Sequence, residues 1–198
     1  MVASKVSAVS SVPDRKDRRS RMKQVIIMQG LSGSGKTTLA QANYPNATVV
    51  SADRFFVQQQ SNNKVEYRFM PWLLGHAHAW CMNNFIHALG RGDSTIVVDN
   101  TNTERWEWMN YVKLAGLLDY KWGVIDMSEG DKSTDEELTA RNVHGVPLEV
   151  IVKQRERYEH AKPEELLSYG QHRQPPPFLE VDPTAVYRRN NNTPKGKL

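Results

Sequence analysis

Gly30-Leu31-Ser32-Gly33-Ser34-Gly35-Lys36-Thr37 decides the fold class of this 198-residue chain. The octapeptide follows the apolar run Val25-Ile26-Ile27-Met28 and runs into Thr37-Thr38-Leu39-Ala40, which places it between a buried parallel strand and the first turn of a helix. A loop in that position wraps backbone N–H groups around phosphate oxygens, and the positive end of the helix dipole adds to the attraction. The glycines at 30, 33 and 35 admit backbone conformations and a close approach that a side chain would block. The pattern assigns nucleotide contacts to Gly30, Leu31, Ser32, Gly33, Ser34, Gly35, Lys36, Thr37 and Thr38. Lys36 is expected to reach the β- and γ-phosphates of a nucleoside triphosphate, and the Thr37 hydroxyl to ligate Mg²⁺. The expected fold is an α/β P-loop NTPase type of three layers, a central parallel sheet flanked by helices.

Chain length suits one domain with a substantial core plus tails. Lys and Arg number 26 against 22 Asp and Glu, a formal charge of +4 that is compatible with a polyanionic partner without requiring one. The single cysteine, Cys81, cannot form an internal disulfide and lies in an apolar helical pattern, so it reads as a core residue of a protein in a reducing cytoplasm. No apolar run approaches the length of a membrane span, and no secretory signal is recognised. Three regions are expected: a flexible basic arm over 1–22, carrying Asp14-Arg15-Lys16-Asp17-Arg18-Arg19-Ser20-Arg21; a domain over 23–162; and an irregular tail over 163–198, with Pro175-Pro176-Pro177.

Beyond the first helix, Ala47-Thr48-Val49-Val50 reads as a short strand that delivers Asp53, and 55–69 as a long polar loop. A helix is expected from Pro71 to Leu89, ended by Gly90 and Gly92, because Leu73, Leu74, Ala77, Trp80, Cys81, Phe85, Ala88 and Leu89 recur at helical spacing. Ser94-Thr95-Ile96-Val97-Val98 is a third strand with Asp99 at its end, followed by a helix over 103–118 capped by Thr103. Lys121–Met127 supplies a fourth strand; short helices follow at Leu138–Asn142 and at 148–161, the latter opened by Pro147.

Ligands of open α/β sheets gather at the carboxyl ends of the strands, and three side chains are expected there. Asp53 is placed to accept a proton from an acceptor hydroxyl, or else to cap a helix or support the metal indirectly. Asp99 fits a hydrophobic strand ending in an acid, which supports Mg²⁺ or positions substrate. Arg141, in Ala140-Arg141-Asn142-Val143-His144-Gly145-Val146-Pro147, sits in a segment that can close over a triphosphate and neutralise charge in the transition state.

The loop, Val50-Ser51-Ala52-Asp53, Gly75–Cys81, Val97-Val98-Asp99-Asn100-Thr101-Asn102-Thr103 and Ala140–Pro147 together resemble the P-loop kinase family related to the 5′-hydroxyl polynucleotide kinase of T4-type phages, a group that takes in the kinase-like domain of Nedd4-binding protein 2. The resemblance runs from about Val25 to Tyr158. It implies ATP as donor, Mg²⁺ as metal, Asp53 as general base, Arg141 as lid arginine, and a nucleic-acid hydroxyl as acceptor. One departure stands out: where the phage enzyme grips the acceptor phosphate with an arginine three residues after its catalytic aspartate, this chain has Phe56. Phe55 and Phe56 are candidates to stack on a base instead, with core packing as the alternative. Phage kinases that phosphorylate 5-hydroxymethyluracil within DNA share the layout, so a base hydroxymethyl is the rival acceptor. A small-molecule or nucleotide kinase and an NTP-dependent binding module are the other readings.

Overall fold

The computed structural model describes residues 23–59, 65–128 and 131–166. The basic arm over 1–22 and the tail beyond 166 lie outside the described residues. Strands β1 (Gln24–Gln29), β2 (Thr48–Val50), β5 (Thr95–Asp99) and β6 (Lys121–Asp126) form a parallel sheet in the order β2-β5-β1-β6. Strands buried on both faces must be apolar at nearly every position, which is why these segments read as continuous runs rather than alternations. Val25 and Ile27 of β1, Ile96 and Val98 of β5, and Val124 of β6 face one core with Ala77, Cys81, Phe85, Trp108 and Tyr111. Those partners lie on helices α2 (Leu74–Arg91) and α3 (Arg105–Leu117). Ile26, Met28, Val97 and Ile125 face the other way, against Ala40 of α1 (Lys36–Asn43). This is the expected three-layer arrangement.

Register determines what stands at the carboxyl edge. Met28 is level with Asp99, Gln29 with Asp126, and Val50 with Val98. The phosphate loop, the turn carrying Asp53, and both strand-terminal acids therefore leave the sheet side by side.

Several expected boundaries move, each for a local reason. The expected polar loop over 55–69 is instead a 3₁₀ turn, Ala52–Phe56, followed by an antiparallel pair, β3 (Val57–Gln59) and β4 (Val65–Tyr67), with 60–64 outside the described residues. Phe56 is buried in the main core and anchors that turn. The stretch from Pro71 opens as a 3₁₀ turn, Pro71–Leu73, before α2; Gly90 stays helical, and Gly92, at φ +74°, ends the helix. Thr103 does not cap α3: it is fully buried, and Glu104 takes the cap position, its N–H donating to Glu107 Oε2 at 3.2 Å.

Helix α4 (Asp135–Arg141) starts three residues before the expected Leu138, because Thr134 and Glu137 bond each other's backbone N–H at 3.2 and 2.9 Å. Helix α5 (Leu148–Glu156) is shorter than expected. Residues 163–166, expected to begin the irregular tail, make a 3₁₀ turn and a parallel bridge from Leu166 to Val124 of β6. The turn is tied down by an ion pair between Arg105 and the buried Glu165.

Candidate active site

The phosphate loop is held by the glycines its conformation demands. At Gly33, φ is +82° and a Cβ would stand 2.2 Å from the Leu138 carbonyl oxygen, so α4 is packed directly on the loop backbone. Gly35, at φ +86°, turns the chain into α1. Leu31, Leu138 and Ile151 form a small core of their own with Val146 and Tyr158 packed against it, and Gln154 Oε1 accepts from Ser32 N–H at 3.0 Å. Helices α4 and α5 are thereby seated over the loop as one cover. Arg141, the last residue of α4, lies one turn beyond Leu138.

Lys36 is buried, and its ammonium donates to the carbonyl oxygens of Gly30 and Leu31 at 3.0 and 2.8 Å. Burial lowers its pKa to about 8, although the charges of Asp99 and Asp53 pull it back upward. Asp99 is buried beside it; burial pushes its carboxyl up, while Lys36 and the Thr37 hydroxyl pull it down. The charge of Asp53 also acts on both Lys36 and Asp99.

The residues present fit Mg²⁺. Thr37 Oγ1 donates to Asp99 Oδ2 at 2.7 Å, so a hydroxyl and a carboxylate oxygen stand together beside the loop. Among the described residues no cluster of three or more His, Cys, Asp and Glu is poised for a metal. Mg²⁺ needs none, since it binds through one or two protein oxygens, substrate phosphates and retained waters. When bound, it would balance negative charge on the phosphate oxygens; Thr37 and Asp99 are the residues to hold it.

Asp53 stands apart from these buried groups. Its side chain is 47% exposed, which leaves it open to a second substrate. Ser51 Oγ accepts from its N–H at 3.3 Å, Tyr67 O–H donates to Oδ1 at 3.1 Å, and His144 Nε2 stands 3.9 Å from Oδ2. The rings of Tyr67 and His144 are 4.4 Å apart, so β4 and the loop after α4 together flank the carboxylate. That loop is built by Asn142, whose Oδ1 accepts from the N–H groups of His144 and Val146, with Gly145 at φ +66° making the turn.

Phe56 is 1% exposed, which removes it as a stacking surface for a base. Arg54 Nη1 donates to the Val49 carbonyl, and its charge helps to lower the Asp99 carboxyl. His76 and His78 are exposed on α2.

Sequence reasoning named Asp99 from the run Asp99–Thr103 and missed what the rest of the run does. Asn100 Oδ1 accepts from Ala52 N–H at 2.8 Å and so positions the Asp53 turn. Thr101 C=O accepts from Gly30 N–H at 2.9 Å, and Asn102 Nδ2 donates to Met28 C=O at 2.7 Å. Asn102 sits at φ +49°, a conformation asparagine tolerates better than most residues. Thr103 C=O accepts from Glu159 N–H at 2.8 Å. Five consecutive residues thus tie the phosphate loop, the Asp53 turn and the segment after α5 into one unit; their shared richness in Asn and Thr was the available signal.

A second buried knot closes the far side. Burial alone would push Asp126 up, but hydrogen bonds from Ser128, Tyr158 and His160 outweigh it and hold the carboxyl below its usual range. Tyr158 O–H donates to Asp126 Oδ1 at 2.7 Å, and His160 Nδ1 lies 3.0 Å from Oδ2. Cys81 is a core residue as expected, its thiol pushed up by burial and contacted by Tyr111 O–H at 3.4 Å.

Loop, parallel sheet and converging acids define a kinase-like P-loop domain of the α/β class. The chain belongs to the family described as AAA domain, whose model matches residues 25–161. It is 34% identical over 138 residues to NEDD4-binding protein 2 of Homo sapiens, a match that takes in 68% of this chain and 8% of that protein. The chain therefore spans under a tenth of that relative's length. Among solved structures it is similar to a chain of the Pnkp1/Rnl/Hen1 RNA repair complex, with TM-score 0.50 and 18% identity over 73% of this chain and 46% of the other. A gluconokinase from Sinorhizobium meliloti 1021 matches with TM-score 0.47 and 16% identity over 73% of this chain and 79% of its own. No helix among the described residues is long and apolar enough to cross a membrane.

The depressed pKa of Lys36 has a measurable consequence. A bound triphosphate stabilises the ammonium, so the lysine pKa must be higher in the complex than the value of about 8 in the free protein. The protonated form then binds tighter, and affinity is full below pH 8 and declines above it. Calorimetric titration with ATP is expected to show the dissociation constant rising up to about tenfold between pH 8 and 9. A flat profile to pH 9.5 would contradict a buried Lys36 facing the phosphates.

Proposed function

We propose that this protein is a kinase that transfers the γ-phosphate of ATP, with Mg²⁺, to a hydroxyl on nucleic acid, at a polynucleotide 5′-hydroxyl. The observation that carries the phosphotransfer reading is the division of labour at the carboxyl edge: Lys36 and Asp99 are buried, Asp99 bonded to Thr37 of the phosphate loop, while Asp53 is half exposed and flanked by Tyr67 and His144. A hydrolytic switch or binding module needs the first group only. An exposed carboxylate beside the phosphate site suits an alcohol acceptor, whose proton has to be taken as the new P–O bond forms.

In this mechanism the loop N–H groups and Lys36 hold the donor phosphates, and Thr37 and Asp99 hold the metal. Asp53 orients the acceptor hydroxyl and takes its proton. Arg141, on the cover formed by α4 and α5, supplies positive charge to the transferring group. The nucleic-acid acceptor is supported by the ordered motifs shared with polynucleotide kinases, and one structural neighbour belongs to an assembly described as an RNA repair complex. The base-hydroxymethyl reading loses the stacking role of Phe56 that favoured it.

The decisive assay incubates the full chain with γ-labelled ATP and a panel: 5′-hydroxyl DNA, 5′-hydroxyl RNA, circular duplex DNA containing 5-hydroxymethyluracil, and free nucleosides. Label is expected on the 5′-hydroxyl strands, with transfer weakening as salt rises because phosphate contacts release counterions. Label on the circle alone would establish the base-hydroxyl reaction, and equal labelling of free nucleosides would sink the nucleic-acid acceptor.

A further inference from the structure

A group of exposed aromatic rings lies next to the turn that carries Asp53. Trp72 is 75% exposed, Phe69 47% and Trp80 38%, far more apolar ring than folding requires to be left in water. His76 and Trp80 are four residues apart on α2 and share one helical face, and Trp72 lies on the Pro71–Leu73 turn that leads into that helix. That face is joined to the site through ring contacts. Phe55, two residues after Asp53, meets Trp80 at 6.2 Å between centroids and Phe56 at 5.3 Å; Phe56 in turn meets Phe69 at 5.0 Å. Arg68, exposed beside Phe69, is fastened to the same turn, its N–H donating to Phe56 C=O at 2.9 Å.

Charge identifies the occupant. Between Glu66 and Asp93 the sequence contains no carboxylate, while Arg68 stands exposed next to Phe69. Exposed flat rings beside an arginine, on a stretch of sequence without carboxylates, suit a single-stranded polyanion whose bases stack, not an apolar protein partner. We propose that Trp72, Trp80 and Phe69 form a stacking platform for the bases of the acceptor strand next to its reacting end, with Arg68 pairing with the strand's phosphates. This rests on the nucleic-acid reading of the acceptor and adds to it a site of recognition: the strand lies along the first half of α2, single-stranded, and is read by ring faces without base-specific hydrogen bonds.

The test compares steady-state transfer to a single-stranded 5′-hydroxyl oligonucleotide of about 20 nucleotides with transfer to a nucleoside 3′-phosphate too short to reach the platform. Trp72→Ala is expected to raise the KM for the oligonucleotide about tenfold, leaving kcat and the KM values for ATP and the nucleoside 3′-phosphate unchanged. Trp72→Phe should restore the KM while reducing the quenching of tryptophan fluorescence by the oligonucleotide. Trp106→Ala, which removes a similarly exposed ring from α3, should behave as wild type. An oligonucleotide KM within twofold of wild type in Trp72→Ala overturns the platform while leaving the kinase and its acceptor in place. So does a change of oligomeric state in that variant without a change in KM, since the surface would then be a protein contact. A wild-type protein that labels free nucleosides and no strand overturns the acceptor reading and the platform with it.

Discussion

Lys36→Ala is expected to lower phosphotransfer by at least about 10³-fold and to weaken ATP binding, the largest effect of any single substitution in this protein. The ammonium is buried, set among the loop carbonyls of Gly30 and Leu31, and lies within the electrostatic reach of Asp99 and Asp53. In that low-dielectric setting a positive charge facing phosphate oxygens is worth far more than the same charge on the surface. No other cation is expected to replace it, because Arg141 lies at the end of α4, where its Nε donates to the Glu137 carbonyl. Thermal melting measured in parallel separates a lost charge from a lost fold. Wild-type turnover by the variant at saturating ATP and Mg²⁺ would remove this loop as the donor site.

Asp53→Asn is expected to cut kcat by about 10²-fold or more while leaving the dissociation constant for ATP nearly unchanged. The amide keeps the shape of the side chain and still offers an oxygen to the Tyr67 hydroxyl, so the turn at Ala52–Phe56 should persist. What disappears is the capacity to take the acceptor's proton. Because the carboxylate is half exposed and makes no hydrogen bond to Thr37 or Asp99, which bond each other, metal binding should be largely spared. Single-turnover assays with labelled ATP and a 5′-hydroxyl strand, alongside ATP titration, distinguish the roles. A variant with unaltered transfer kinetics would exclude Asp53 as the base, and one that no longer binds ATP with Mg²⁺ would place it with the metal.

The donor half of this site is legible in the chain order because it is local. Gly30 to Thr37 form one contiguous loop whose glycine positions, lysine and hydroxyl are set by backbone conformation and by spacing along a single strand–loop–helix unit. The apolar strands were legible for the same reason, since burial on both faces demands uninterrupted hydrophobic runs. Asp99 could be placed because it ends such a run and Asp53 because it follows one by three residues, and parallel strands deliver their ends to one edge.

What only the tertiary structure decided depends on contacts distant in sequence. Phe56 is in the core because the turn after β2 folds down onto α2, and no local pattern separates a ring that packs inward from one offered to a base. Tyr67 and His144 meet at Asp53 only because a hairpin and the cover over the loop converge there, 14 and 91 residues along the chain from the carboxylate. The roles of Asn100 and Asn102 belong to this class too: asparagines after a strand read as a turn, and that they brace the Asp53 segment and β1 follows from strand order β2-β5-β1 alone. Sequence by itself determined the class of fold and located the phosphate-loop pattern, both written in short-range spacing. The acceptor side was decided by packing, because its walls come from separate elements that share no local signal.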